Sequence, residues 1–157
     1  MQDKQETKQP SFMALAIEKA REAAARGEVP VGAVVVDKDG NVLAAASNRV
    51  EELHDMTAHA EVLALREAAA KLGEARLTNC DLYVSLEPCA MCAGAISFAR
   101  IRRLYYAAYD TKGGAVDHGP RFFSQPTCHH APDVYGGVME QEGRNILQQF
   151  FKGLRKE

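Results

Sequence analysis

The sequence contains no run of about 18 consecutive apolar residues, and so offers no conventional membrane-spanning helix. Its first ten residues, Met1 to Pro10, are polar, which argues against reading them as a secretory signal or a membrane anchor. Charge of one sign is not in excess either. The 19 Lys and Arg face 21 Asp and Glu for a net charge of −2, which excludes a protein held to RNA or lipid by bulk positive charge, though not a local basic groove. Only four cysteines occur in 157 residues, an improbable basis for a disulfide scaffold. Two of them, Cys89 and Cys92, have the C-x-x-C spacing of metal or redox chemistry in a reducing compartment, so the cytoplasm is the expected location. Internal repeats and low-complexity tracts are absent.

What is there, 46% hydrophobic and 25% charged residues, is the balance of one globular domain that can bury about 70% of its unfolded surface. Residues 1–10 read as a flexible N-terminus and 11–157 as a single domain. Phe12, Leu15, Ala16, Ala20, Ala23 and Ala24 recur at helical spacing from Ser11, a candidate N-cap after Pro10, to Arg26, with Gly27 as the stop. Val31 to Asp37 and Val42 to Ser47, joined through Asp39-Gly40, read as an antiparallel hairpin. A second helix is expected from Thr57 to Leu72, with Val62, Leu65, Ala69 and Leu72 on one face and Gly73 as its end. Asp81 to Leu86 alternates as a strand, and Pro88 opens a small-residue helix from about Cys89 to Ala99. Arg102 to Ala108 is a fourth strand, and a strand near Val134 to Val138 and a helix from Glu140 to about Lys152 close the chain. Between them, Thr111 to Pro132 is long and rich in Gly, Pro and His, the mark of a functional loop. Strands alternating with helices predict an α/β sandwich around one mixed sheet. The long connection between the last two strands permits them to run parallel without requiring it.

Two short motifs carry chemistry. His59-Ala60-Glu61 opens the second helix, and Pro88-Cys89-Ala90-Met91-Cys92 opens the third. Alone, a histidine at a helix start is commonly a capped or core side chain, and a C-x-x-C divides among zinc, redox chemistry and plain burial. Together they supply one imidazole and two thiolates, leaving the fourth tetrahedral position of Zn²⁺ open as in a catalytic site. Residues two apart on a regular helix point roughly 200° apart, so His59 and Glu61 can serve one centre only over an open first turn. The site is therefore expected where two helix N-termini meet, and there unpaired N–H groups and macrodipoles favour thiolate over thiol. Glu61 then stands beside a zinc-bound water whose pKa falls toward about 7. It is placed to take the proton and pass it to a ring nitrogen and a leaving amine. Without His59 and Cys89 it would read as an ordinary first-turn glutamate.

The H-x-E and P-C-x-x-C pair resembles the zinc-dependent cytidine deaminase superfamily. Within it, Glu28-Val29-Pro30-Val31-Gly32-Ala33-Val34, Asn48-Arg49, Thr57 to Glu61, Leu86 to Ala95 and Phe150-Phe151 look like the bacterial tRNA-specific adenosine deaminases, over about residues 12 to 155. The resemblance implies a three-layer α/β/α fold around a mixed five-stranded sheet, with 11–157 as a single zinc deaminase domain. It implies a homodimer with one zinc per subunit, held by His59, Cys89 and Cys92, and Glu61 as the catalytic proton shuttle. The implied reaction is hydrolytic deamination of adenosine to inosine at the wobble position of a tRNA anticodon, with the anticodon stem-loop as partner. By the same resemblance Asn48 hydrogen-bonds the flipped base, Val31 and Ala60 line the base pocket, and Asp110 and Lys112 approach the substrate strand. Read without the family, Asn48 is equally a turn residue and Asp110 to Lys112 a surface turn. The sequence departs from the family pattern at Met56, where Pro is common, and in the 110–132 loop, which matches only a subset of members.

Split along the chain, residues 1–99 hold 10 Lys and Arg against 15 Asp and Glu, and residues 100–157 hold 9 against 6. The positive excess is C-terminal: Arg100, Arg102, Arg103, Lys112 and Arg121 follow the cysteine motif, and Lys152, Arg155 and Lys156 lie at the end. Such a flank is the expected source of phosphate affinity, with Phe122, Phe123, Phe150 or Phe151 as stacking partners. Equally, the arginines are solvated strand residues, and at least one ring of Phe150-Phe151 belongs to the core. A second metal at Cys128-His129-His130 is disfavoured, because adjacent histidines do not easily share a tetrahedral centre with their neighbouring cysteine. Cys80 reads as a small buried hydrophobe. Three functions stay in play: a tRNA adenosine deaminase, a deaminase of a free base or nucleoside such as guanine or cytosine, and a zinc-stabilised RNA-binding protein without turnover. Against the last stands Glu61, a non-ligand that stability does not require.

Overall fold

A computed structural model describes the backbone of residues 2–155 and the side chains of 12–154. In chain order the elements are α1 (Gln2–Ala25), β1 (Gly32–Val36), β2 (Val42–Ser47), the single turn α2 (Val50–Leu53), α3 (Ala60–Leu72), β3 (Asp81–Leu86) and α4 (Ala90–Phe98). They continue with β4 (Arg103–Ala108), a 3-10 turn (Phe122–Ser124), β5 (Asp133–Gly136) and α5 (Glu140–Arg155). The strands form one mixed sheet in the order β2-β1-β3-β4-β5. β1 pairs antiparallel with both β2 and β3, whereas β3, β4 and β5 run parallel. Parallel neighbours require crossovers, and these are α4 between β3 and β4 and the long loop between β4 and β5.

The period-2 alternation of the strands sorts their side chains into two cores. Ala33, Val35, Leu82, Val84, Leu104 and Tyr106 face α3 and α4; Val34, Val36, Tyr83, Tyr105 and Ala107 face α1 and α5. The result is the expected three-layer α/β/α arrangement. On the α1 face the helix lies directly on the strand: a Cβ on Gly32 would fall 1.9 Å from the Ala16 carbonyl oxygen. The Gly32 N–H donates instead to Ser85 Oγ at 3.0 Å. In-register parallel pairing also aligns Tyr83, Tyr105 and Tyr135 across β3, β4 and β5. Their rings stack with centroids 4.5 and 4.9 Å apart.

Several local expectations change. α1 begins at Gln2 rather than at Ser11 and runs through Pro10, whose missing N–H interrupts the ladder and is what marked Ser11 as a start. Residues 2–10, expected as a flexible tail, therefore have helical backbone; their side chains and Met1 lie outside the described residues. The buried stripe of α1 is Met13, Ala16, Ile17, Ala20 and Ala23, so Met13 and Ile17, not the partly buried Phe12 and Leu15, are its large core residues. α3 likewise buries Ala60, Glu61, Ala64, Leu65 and Ala68, while Leu72 is 44% exposed. In a helix this rich in alanine many faces look apolar, and close approach to the sheet selects the face of smallest residues. Pro88 stands one residue before the N-cap of α4, not at its first position, because Cys89 is the cap.

Candidate active site

His59 and Cys89 are the N-cap residues of α3 and α4, both with extended backbone and neither with a side-chain cap hydrogen bond. An N-cap side chain ordinarily turns back onto its own helix; here the two turn toward each other. Cys92, in the first turn of α4, completes the cluster. His59 Nδ1 lies 3.7 Å from Cys89 Sγ and 3.4 Å from Cys92 Sγ. Tetrahedral zinc, with Zn–S near 2.3 Å and Zn–N near 2.0 Å, calls for N···S separations of about 3.6 Å, so the donor set fits. Among the described residues these three form the one group of ligand-type side chains with donor atoms within 4.8 Å of one another. Their protons are coupled. A hydrogen bond from Cys92 holds the Cys89 thiol down at about 4 against the opposing effect of burial. The same bond and burial push Cys92 up, and Cys89 raises His59.

Glu61, in the first turn of α3, is 4% exposed, and its Oε1 is buried without a hydrogen-bond partner. Burial raises its carboxyl above the usual carboxylate range. Cys92 and the Glu61 backbone N–H bond the carboxylate, so Oε1 is the carboxylate atom left open beside the three ligand residues.

A cavity of about 500 Å³ opens over this centre and is lined by Val31, Asn48, His59, Glu61, Cys89, Asp110, Phe150 and Phe151 among others. Asn48 is fixed on three sides. Its N–H donates to the Val31 carbonyl at 3.1 Å, its carbonyl accepts from Arg26 Nη2 at 2.9 Å, and its Oδ1 accepts the Ala60 N–H at 2.7 Å. An N–H can only donate, so the Asn48 amide is oriented with Nδ2 as the remaining donor. Ala60 itself is fully buried and does not line the cavity; it serves through its backbone. Lys112 is exposed and lines an adjoining cavity of about 970 Å³ with Arg144 and Lys152, and the two cavities share Asp110 and Phe151.

The other candidates separate. Phe150 and Phe151 both line the active-site cavity, with ring centroids 5.4 Å apart, rather than sending one ring into the core. Phe123 packs on the α3/α4 core, and Phe122 meets it edge to face. Arg102 is held by Asp81 through two bonds of 2.9 Å, and Arg100 ends α4 in left-handed backbone. Cys128 and Ser97 both donate to the His130 carbonyl, at 3.1 and 2.6 Å, and the His130 ring bonds the Ile101 carbonyl at 2.7 Å. That triplet fastens the long loop to the end of α4. Cys80 is buried at 2% exposure.

Two buried carboxylates had no expected role. Glu28 accepts the Glu51 and Glu52 N–H groups at 3.0 and 2.9 Å, capping α2 from a distant part of the chain. Glu87 gathers backbone N–H groups of the loop after β4. Its place beside Pro88-Cys89 was the only hint in the sequence.

The family model for the cytidine and deoxycytidylate deaminase zinc-binding region matches residues 6–108, which include both motifs. The chain belongs to this deaminase family. It is thus a zinc-binding deaminase, with His59, Cys89 and Cys92 as the residues suited to hold one zinc ion. The tRNA-specific adenosine deaminase of Agrobacterium fabrum is 62% identical over 144 residues, 92% of this chain and 94% of the relative. A solved structure from studies of A-to-I editing by tRNA:A34 deaminases at the wobble position of transfer RNA is 63% identical, with a TM-score of 0.86 over 87% of this chain and 99% of that one. A guanine deaminase from Nitrosomonas europaea is 27% identical, with a TM-score of 0.79 over 90% of this chain and 83% of its own. Among the described residues no helix is long and apolar enough to cross a membrane.

Proposed function

We propose that this deaminase converts adenosine to inosine by hydrolysis at the wobble position of a tRNA anticodon, acting in the cytoplasm as a homodimer with one zinc per subunit and with 11–157 as its single domain. The observation that carries the chemistry is the partnerless Oε1 of Glu61 beside His59, Cys89 and Cys92. The substrate rests on 62% and 63% identity to tRNA adenosine deaminases, against 27% to the guanine deaminase.

Bound zinc supplies a Lewis acid and a water made acidic near neutral pH. Glu61 takes a proton from water on Oε1 and delivers it to the ring nitrogen beside C6 as the water's oxygen adds to C6. It then takes the second proton from that C6 hydroxyl and passes it to the departing amino group. One water is consumed, the C6–N bond breaks, ammonia leaves, and C6 keeps the oxygen. Asn48 offers Nδ2 to an acceptor on the flipped base, and Val31 gives the cavity an apolar wall. Asp110 and Lys112 stand beside the path of the flanking strand, with Lys152 available to phosphates.

The test is incubation with an anticodon stem-loop carrying a wobble adenosine and, separately, with guanine, cytosine and adenosine. Inosine in the stem-loop without release of ammonia from the free compounds is the expected result. The guanine deaminase likeness in fold keeps a free-base substrate as the second reading. Turnover of guanine with none of the stem-loop would transfer the assignment to it.

A further inference from the structure

We propose that Glu87 is a positioning residue for the substrate strand: it folds segment 110–118 around its carboxylate and so fixes Asp110 in the wall of the active-site cavity. The substrate named here rests on the reading above; the role of Glu87 in the loop rests on its own geometry. The Glu87 side chain has no exposed surface, so no substrate atom reaches it. Its Oε2 accepts the N–H groups of Val116, Asp117 and His118 at 3.2, 3.0 and 3.1 Å. Its Oε1 accepts the Asp110 N–H at 3.1 Å and His118 Nδ1 at 2.8 Å. Five donors converging on one buried carboxylate, four of them backbone, form an anion nest made by the loop.

The wrapping is tight. A Cβ on Gly114 would fall 2.5 Å from Glu87 Oε2 and 2.4 Å from the Asp110 carbonyl oxygen, so the loop closes on the carboxylate only with glycine there. Two residues after Glu87, Cys89 enters the metal cluster, and the Pro88 carbonyl between them accepts the Ala115 N–H at 2.9 Å. One short rigid segment therefore sets both the ligand and the loop. At the start of that loop Asp110 Oδ1 accepts the N–H groups of Lys112 and Gly113 at 3.1 and 2.9 Å. This fixes the turn that carries Asp110 and Gly113 into the cavity wall.

Glu87→Gln tests the role in the zinc-loaded protein. Whichever way the amide faces, its NH₂ confronts backbone donors, the three at Val116, Asp117 and His118 or the one at Asp110, so the nest opens while volume is conserved. The expected result is one zinc per chain, amide hydrogen exchange in 110–118 faster by about tenfold or more, and KM for the stem-loop raised by about tenfold with kcat nearly unchanged. Glu87→Asp restores the charge and is expected to recover part of both effects. Wild-type exchange in 110–118, or a loss of zinc or of kcat with the loop still protected, overturns the proposal. If Glu87→Gln does not fold, His118→Ala decides: faster exchange at 116–118 supports the nest and unchanged exchange overturns it. A wild-type protein inactive on the stem-loop would sink the substrate, while the exchange data would still decide the role of Glu87.

Discussion

Burial disfavours the Glu61 carboxylate more than the bonds from its own backbone N–H and from Cys92 favour it, and its buried Oε1 has no partner to lose. Glu61→Ala is therefore expected to keep one zinc per chain and a melting temperature no lower than wild type, yet to lose at least about 10²-fold in kcat. A metal assay, a thermal melt and single-turnover kinetics check the three parts, and retained kcat would point to another proton carrier. Asn48 behaves differently, since its Oδ1 also receives the first N–H of α3. Asn48→Ala should cost about 1 kcal/mol in urea denaturation as well as weakening substrate binding. The metal ligands were legible in the sequence because residue type and local spacing define them. Glu28 and Glu87 were not, since the groups they hold lie 23 to 31 residues away. Only the fold brings such partners together.

At the scale of elements, α3 and α4 begin on residues that serve the cluster instead of capping their own helices. Zinc then ties two helix N-termini, and chelation should release both. Stripping the metal is expected to lower the melting temperature and speed amide exchange in the first turns of α3 and α4, with recovery on zinc readdition. A melt unchanged by chelation would contradict this. The contact of α1 with β1 at Gly32 is stricter still, because the obstacle is backbone. Gly32→Ala should destabilise by about 1–3 kcal/mol or more, read as a lower urea midpoint. Strand spans were readable because apolar alternation marks both ends, and Asp81–Leu86 and Val42–Ser47 agree to the residue. α2 was not readable: a single turn, Val50–Leu53, has no periodicity, and its N–H groups depend on the distant Glu28.

Across the whole molecule the C-terminal excess of positive charge divides into structural and available cations. Arg102 is committed to Asp81 and Arg144 to Glu140 and Gln141, whereas Lys112 and Lys152 line the cleft beside the active site. Lys112→Ala and Lys152→Ala should each reduce the salt dependence of stem-loop binding by about one ion. Arg102→Ala should leave that slope unchanged and act on stability alone; fluorescence anisotropy at several salt concentrations separates the two. The layered architecture followed from strands alternating with helices. The parallel pairing of β4 with β5 did not, because a long irregular loop is compatible with either direction. That pairing has an optical consequence. The chain has no tryptophan and five tyrosines, three of which form the stack on β3, β4 and β5. Rings this close couple electronically, so the near-ultraviolet circular dichroism of the native protein carries a signature of strand register, readable without a label.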